Sequence, residues 1–320
     1  MDISVIIVNY NTKQLVIDCI ASLEETVPPR SYEIIVVDNA SADGSAEAIS
    51  ERFPSVKVIK CSKNLGFGRA NNLGAKKAQG EFLFILNSDT LACPYALDRL
   101  ASALESNPKA GIAAPRIVGA DDKDQEVVAL LMTPKTVLFS SARKSVRKEI
   151  VRMVEQKEQL AGIAYFCGAA IMVRRAAFEE VGGFDESFFF YCEDPDLSKM
   201  IAGAGWQMEY VPEAKIIHFV GVSVRRIRIA SYIERHRGRC YYMRKHFGIG
   251  PALMVGCFQF TNTLTKSLMN AFGVVVTLGL AESCRRKAVV NGLIALWYIL
   301  GRPKRESWLY VKLFGSWQKS

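Results

Sequence analysis

An α/β fold, with a mostly parallel mixed sheet and helices on both faces, is predicted by three observations. Short β-branched runs alternate with amphipathic stretches along the first 90 residues. The runs are apolar throughout instead of alternating with polar residues, as strands covered on both faces must be. Polar residues gather just after the runs, at Asn9-Tyr10-Asn11, Asp38-Asn39, Asn64 and Asn87-Ser88-Asp89. In an open α/β sheet ligands bind beyond the carboxyl ends of the strands, so four such clusters describe one site.

In order, residues 3–8, 33–37, 56–61 and 82–86 read as strands, and 12–25, 46–53 and 70–78 as the helices between them. From 121 to about 160 the periodicity weakens. This stretch holds a basic patch (Arg143, Lys144, Arg147, Lys148) and a charged helical segment over 149–159, and 121–165 reads as an insertion over the site. Ile171-Met172-Val173 and the run 182–206 return to a packed register.

Composition narrows the class. Of 320 residues, 50% are hydrophobic and 23% charged, which excludes a disordered chain. The eight cysteines stand no closer than 17 residues apart, so no CxxC pair exists to bind zinc, and reduced thiols are expected. Asp2 stands where a signal peptide would carry basic residues, so none is expected. The net charge of +9 is uneven: 221–320 carry 17 Lys/Arg against 3 Asp/Glu, whereas 1–220 carry 24 against 29. A basic tail after a mildly acidic body points to an anionic partner, a membrane surface or a nucleic acid.

The uncharged runs of that tail, 247–265, 267–281 and 288–301, are too short or too polar to span a bilayer, which takes about 20 apolar residues. Phe260, Leu264, Leu268, Phe272, Val276 and Leu280 recur every fourth residue as one helix face. Such a face packs into a core or lies in a membrane interface. Arg285-Arg286-Lys287 and Arg302, Lys304 and Arg305, with Trp297, Trp308 and Trp317 nearby, favour helices lying on an anionic membrane surface. No zinc finger or RNP-type motif accompanies the charge, and the apolar runs suit lipid better, so no nucleic-acid partner is expected.

Gly66-Phe67-Gly68-Arg69-Ala70-Asn71 approaches the dinucleotide fingerprint but lacks its third glycine and follows the third strand, so a nicotinamide dehydrogenase is excluded. Asp89, at the tip of a buried strand, suits Mg²⁺ or Mn²⁺ against substrate phosphates, since such ions keep waters and take few protein ligands. A second acidic cluster, Glu193-Asp194-Pro195-Asp196, follows Phe188-Phe189-Phe190-Tyr191. Aromatic surroundings raise a carboxylate's pKa, which suits a general base. Asp194 or Asp196 is also expected to cap the helix that follows.

Residues 3–222 resemble a family 2 glycosyltransferase of the GT-A fold, close to the rhamnosyltransferase-like enzymes of bacterial surface-polysaccharide synthesis. The resemblance rests on ordered motifs: 5–11, Val36-Val37-Asp38-Asn39-Ala40-Ser41 with Asp43-Gly44-Ser45, Asn64-Leu65-Gly66-Phe67-Gly68, Asn87-Ser88-Asp89, Phe184-Asp185-Glu186, the Glu-Asp-Pro-Asp run, and His218 with Gly221 and Ser223. The tail from Arg237-Gly238-Arg239 through Tyr241-Tyr242 to Gly248 resembles the basic, aromatic segment after the catalytic domain in these enzymes.

The resemblance implies a GT-A catalytic domain over 1–222, with 121–165 on the acceptor side, and a helical, membrane-associating region over 223–320. It implies that Asn9, Asn11, Asp38, Asn64, Gly66, Gly68 and Asn87 line the nucleotide, and that Asp89 and His218 ligate Mg²⁺ or Mn²⁺. Asp194 would be the general base, Glu193 would orient it or bind the acceptor, and Phe166, Gly168, Ala169 and Tyr191 would wall the acceptor side. The implied enzyme is an inverting hexosyltransferase. It would move a sugar, with rhamnose favoured, from a nucleoside-diphosphate donor to a saccharide or lipid-linked saccharide, peripherally at the cytoplasmic face of the inner membrane. Two departures stand out: one carboxylate where many relatives have two or three, and Met200 where a basic residue is expected, with Lys199 adjacent and Arg225, Arg226 and Arg228 as substitutes. They leave a sugar-nucleotide-binding protein with impaired catalysis as the alternative.

Overall fold

The computed structural model describes residues 1–26, 30–156, 158–219, 228–277, 281–304, 310 and 313. It forms two compact units, Met1–Met132 with Ser140–Ser223, and Thr133–Phe139 with Val224–Ser320.

In the first unit, β1 (Ile3–Asn9), β2 (Tyr32–Asp38), β3 (Lys57–Lys60) and β4 (Phe82–Asn87) are the expected strands. Between them run α1 (Lys13–Glu25), α2 (Ser45–Arg52) and α3 (Phe67–Ala75). Then come β5 (Thr90–Ala92), α4 (Ala96–Ser106), β6 (Ala110–Val118), β7 (Val128–Leu130), α6 (Ser140–Glu155), β8 (Ala164–Phe166), β9 (Ala170–Arg174), α7 (Arg175–Glu180), α8 (Glu193–Gly203) and β10 (Gln207–His218). The short α5 (Pro134–Leu138) interrupts them and belongs to the second unit. The charged helix expected over 149–159 runs instead over α6, starting nine residues earlier.

The main sheet has the order β3-β2-β1-β4-β9-β6-β10-β5, with β7 and β8 paired apart. Parallel pairing holds across β3, β2, β1 and β4, while β9 is antiparallel to both its neighbours. β10 runs parallel to β6 and antiparallel to β5. The register of the central strands sets the site: Asn9 stands opposite Asp38, and Val8 opposite Asn87. Three parallel strands therefore end in one row, and their polar tips share an edge. β9 enters the sheet at that edge, with Ala170 beside Leu86, and β10 leaves at it, with His218 beside Thr90.

β1 and β4 are almost wholly buried, because helices cover the central strands. α3 approaches β1 so closely that a Cβ on Gly74 would stand 2.5 Å from Ile6 Cγ2.

The second unit contains α9 (Arg228–Phe247), α10 (Ile249–Val276) and α11 (Glu282–Ile299). Ile233, Ile294, Trp297 and Tyr310 form its small core. Trp297, expected at a membrane interface, is 1% exposed and belongs to that core. Trp308, Trp317, Arg305 and Leu280 lie outside the described residues. The apolar stripe of α10 is not its buried face. Val255, Gln259 and Thr263 are buried, while Phe260 and Leu264 are half-buried and Leu268, Phe272 and Val276 stand 63–70% exposed. Among the described residues no helix is long and apolar enough to cross a membrane.

Ile6 is fully buried between Ile35 of β2 and Ile85 of β4. Ile6→Ala should cost about 2–5 kcal/mol in urea-induced unfolding, from lost transfer energy and the cavity left behind. Lys60→Ala, which removes only an exposed ion pair to Glu47, should stay within about 0.5 kcal/mol.

Candidate active site

The parallel half of the edge is a hydrogen-bonded lattice. Asn9 Nδ2 donates to Asp38 Oδ1 (3.0 Å) and to Ser41 Oγ (3.1 Å), and Ser41 N donates to Asp38 Oδ2 (3.1 Å). Thr12 Oγ1 donates to Asn9 Oδ1 (2.7 Å) and lies 2.9 Å from Ser88 Oγ, so it leaves the start of α1 without a side-chain cap. Asp38 is 4% exposed, and these contacts fix the position of its carboxylate at the end of β2. Asn11, in the left-handed region (φ 53°), accepts from Ala42 N through Oδ1 (2.7 Å).

Asn39, which was not among the expected site residues, ties the third polar cluster in place. Buried to 3%, it donates from Nδ2 to Asn64 Oδ1 (3.1 Å) and Gly66 O (3.2 Å), and accepts from Leu65 N (2.7 Å). Its signal in the sequence is only its place beside Asp38. Gly66 and Gly68, expected to let backbone approach a nucleotide, instead let residues 184–189 approach. A Cβ on Gly66 (φ 87°) would meet Phe189 O at 2.3 Å, and one on Gly68 would meet Phe184 Cβ at 2.9 Å.

The antiparallel strands bring Asp89 and His218 together. Asp89 Oδ1 lies 3.3 Å from His218 Nε2, with both side chains nearly buried. Gln125, a second residue the sequence did not reveal, fixes the ring. Its Nε2 donates to the His218 carbonyl (2.9 Å), and its Oε1 lies 2.9 Å from His218 Nδ1. A carbonyl oxygen only accepts, so the amide nitrogen must face it, and Oε1 is left to accept from Nδ1–H. In the neutral ring the lone pair is then on Nε2, facing the Asp89 carboxylate. Gln125 reaches this place because residues 119–123 turn the chain back along β6, the neighbour of β10. No local pattern announces that turn.

Two converging electron-pair donors 3.3 Å apart fit one hard cation. Adjacent ligands of an octahedral ion with bonds of about 2.0–2.1 Å stand about 3 Å apart. Among the described residues no group of three or more His, Cys, Asp or Glu converges, so Asp89 and His218 stand as a pair.

The acidic cluster opens α8. Its N-cap is Cys192 (φ 75°), which makes no side-chain cap; Asp194 and Asp196 lie inside the first turn instead of capping it. Asp194 Oδ2 accepts from Gly168 N (3.1 Å), and a Cβ on Gly168 would stand 3.0 Å from the Asp194 carboxyl carbon. Gly168 therefore admits the carboxylate to the backbone just before β9. Asn87 N donates to Ala169 O (2.9 Å), joining this side to β4. Phe166, expected on the acceptor wall, has no exposed surface and belongs to the core, and Ala169 is 3% exposed. Tyr191, half-buried in the left-handed region (φ 71°), packs edge-on against Phe190. Gly221, Ser223 and the Arg225 and Arg226 side chains lie outside the described residues, as does the Arg228 side chain.

Burial raises the pKa of Asp194, opposed by the Gly168 amide. Glu193 is 3% exposed, and its Oε2 has no hydrogen-bond partner among the described residues. Burial first, then the charge on Asp194, pushes its pKa well above the usual 4.5. The same two causes push the Cys167 thiol up to about 12 and raise Tyr165. Asp194 thus carries the charge of the pair, and the buried Glu193 keeps its proton.

Residues 4–182, more than half of the chain, match the family model described as glycosyl transferase family 2. The chain is 28% identical over 275 residues to the N-acetylglucosaminyl-diphospho-decaprenol L-rhamnosyltransferase of Mycobacterium tuberculosis (strain ATCC 25618 / H37Rv), covering 81% of this chain and 88% of that one. Its fold is similar to that of the mannosyltransferase PcManGT from Pyrobaculum calidifontis, solved with GDP-Man and Mn²⁺ (TM-score 0.55, 18% identity, 95% of this chain and 88% of that one). S. aureus TarS 1-349, solved with UDP, is a further neighbour (TM-score 0.51, 16% identity, 95% and 93% covered).

A buried acid whose folded-state pKa is raised contributes stability below its unfolded value, and that contribution is lost as pH rises through the folded value. Glu193→Gln keeps the shape without the titration. Urea unfolding should therefore show this variant gaining stability relative to wild type between about pH 4.5 and pH 8; a difference that stays flat with pH would refute a raised Glu193.

Proposed function

The chain belongs to glycosyl transferase family 2 and is a glycosyltransferase of the rhamnosyltransferase-like kind; from that premise we propose a metal-dependent, inverting transfer of a sugar from a nucleoside diphosphate to a saccharide or lipid-linked saccharide. The carrying observation is that Asp38, the Asp89–His218 pair and Asp194 stand along one sheet edge. Asp38 and the Asn9–Ser41 lattice receive the nucleoside. Asp89 and His218 would hold Mg²⁺ or Mn²⁺, which would supply positive charge to the departing diphosphate.

Asp194 takes the proton of the acceptor hydroxyl. The freed oxygen attacks the anomeric carbon as the bond from that carbon to the diphosphate oxygen breaks, with inversion. Protonated Glu193 keeps negative charge from accumulating beside the base. Similarity to the mycobacterial N-acetylglucosaminyl-diphospho-decaprenol L-rhamnosyltransferase supports a diphosphate-linked prenyl saccharide as acceptor and L-rhamnose as the transferred sugar. The basic second unit, with Leu253, Leu268 and Phe272 exposed, supports a peripheral position on the cytoplasmic face of the inner membrane, where a lipid-linked acceptor would be met.

Asp194→Asn should lower kcat by about 10²–10⁴-fold while nucleotide affinity changes less than about threefold. Unchanged turnover in a transfer assay would remove Asp194 as the base. Gln125→Leu frees the His218 ring to rotate and to change tautomer. Mn²⁺ affinity, followed by loss of the free-ion EPR signal, should fall by about 10–100-fold. An unaltered Mn²⁺ titration would show that the ring needs no such orientation.

A further inference from the structure

The second unit contains a cavity of about 640 Å³ between α9, the start of α10 and the end of α11. Four cationic residues line it: Arg237, Arg244, Arg302 and Lys304. Its opposite wall is apolar, with Ile249 and Leu253. Arg237 is built in. Its guanidinium pairs with the buried Glu234 (2.6 Å), donates to Pro303 O (2.9 Å), and lies over the rings of Trp297 (5.6 Å) and Tyr310 (5.4 Å). Arg302 is held by a left-handed backbone (φ 57°) and by its amide, which donates to Trp297 O (2.9 Å). Among the described residues Glu234 pairs with Arg237, and Arg237, Arg244, Arg302 and Lys304 bring positive charge to a cavity beside hydrocarbon.

Leu253 and Arg302 also line a second hollow of about 290 Å³, walled by Cys257, Phe260 and Ile299. The cationic cavity therefore continues into an apolar groove. Of the residues lining that groove, Leu253 and Ile299 stand 57% and 67% exposed. A free phosphate would use the first part and leave the groove empty. A nucleic acid would find no partner for the aliphatic surface. An amphiphile with an anionic head uses both.

We propose that this paired cavity binds one anionic phospholipid of the bilayer, with the phosphate among Arg237, Arg244, Arg302 and Lys304 and the first chain carbons along Leu253, Phe260 and Ile299. The proposal rests on the membrane-facing reading of the second unit and deepens it from diffuse charge to a defined headgroup site. Charge-assisted hydrogen bonds to phosphate give such a site a preference that a spread of surface lysines lacks.

The test is sedimentation of the full chain with vesicles of phosphatidylcholine alone and with 30% phosphatidylglycerol. Three proteins are compared: wild type, Arg244→Gln/Lys304→Gln, and Arg285→Gln/Lys287→Gln, which removes equal charge from exposed positions on α11 outside the cavity. Thermal unfolding of each checks that it folds. The expected result is binding that depends on phosphatidylglycerol, weakened at least tenfold in the cavity variant and less than threefold in the control. Equal weakening in both variants would overturn the headgroup site and leave a diffusely attracted membrane enzyme. No binding of wild type to either vesicle would overturn the site together with the membrane reading. Preference for an oligonucleotide over the charged vesicles at equal ionic strength would overturn both in favour of a nucleic-acid partner.

Discussion

The in-register parallel pairing of β1 with β2 and β4 is the constraint on which the remainder depends. A parallel strand must start again from the same edge, so each crossover helix returns the chain and each strand ends on the same side. The pairing of Asn9 with Asp38, and of Val8 with Asn87, turns three separate polar tips into one row. The antiparallel strands complete the row for the opposite reason. β9 begins where β4 ends, so the residues before it, Gly168 and Ala169, stand at the same edge. β10 finishes there, so His218 arrives beside Asp89. A slip of one residue in β1 would turn every side chain to the other face and dissolve the arrangement.

Three carboxylates on one edge repel one another unless each is compensated locally. Asp38 is compensated by neutral donors, the Asn9 side chain and the Ser41 amide. Asp89 is the exception, because Gln125 turns the Nε2 lone pair of His218 toward it. Asp194 has the Gly168 amide and a neighbour, Glu193, that keeps its proton. Among the described residues no Lys or Arg pairs with any of these three carboxylates. A cation would offset this charge against a diphosphate, which is the physical support for the metal dependence proposed above.

Much of this was legible because buried strands leave a strong signal. The apolar runs located β1 to β4, and the polar residues after them located the edge. Boundaries moved where local charge misled, as in α6, which begins at Ser140. What stayed hidden depends on contacts distant in sequence. Gln125 lies in a stretch without periodicity and matters only because a turn lays it against β10. The resemblance put Phe166 on the acceptor wall, but its place in β8 buries it. Gly66 and Gly68 marked a close approach correctly in kind, yet the approaching group is the protein's own 184–189 segment. In α10 the fourfold stripe was real, but burial chose Gln259 and Thr263 and left Leu268 and Phe272 outside. Periodicity shows that a helix has an apolar face; it does not say what covers it.

The most direct measurement of the central claim is release of nucleoside diphosphate by the purified full chain. Uridine, thymidine and guanosine diphosphate sugars would be supplied in turn with Mg²⁺, with Mn²⁺ and with EDTA, with and without membrane extract as a source of acceptor. The account predicts release from one donor class, abolished by EDTA and restored by the divalent ion. Release indifferent to EDTA would contradict the role given to Asp89 and His218. Nucleotide binding without release from any donor, even with the extract present, would contradict the transferase mechanism itself.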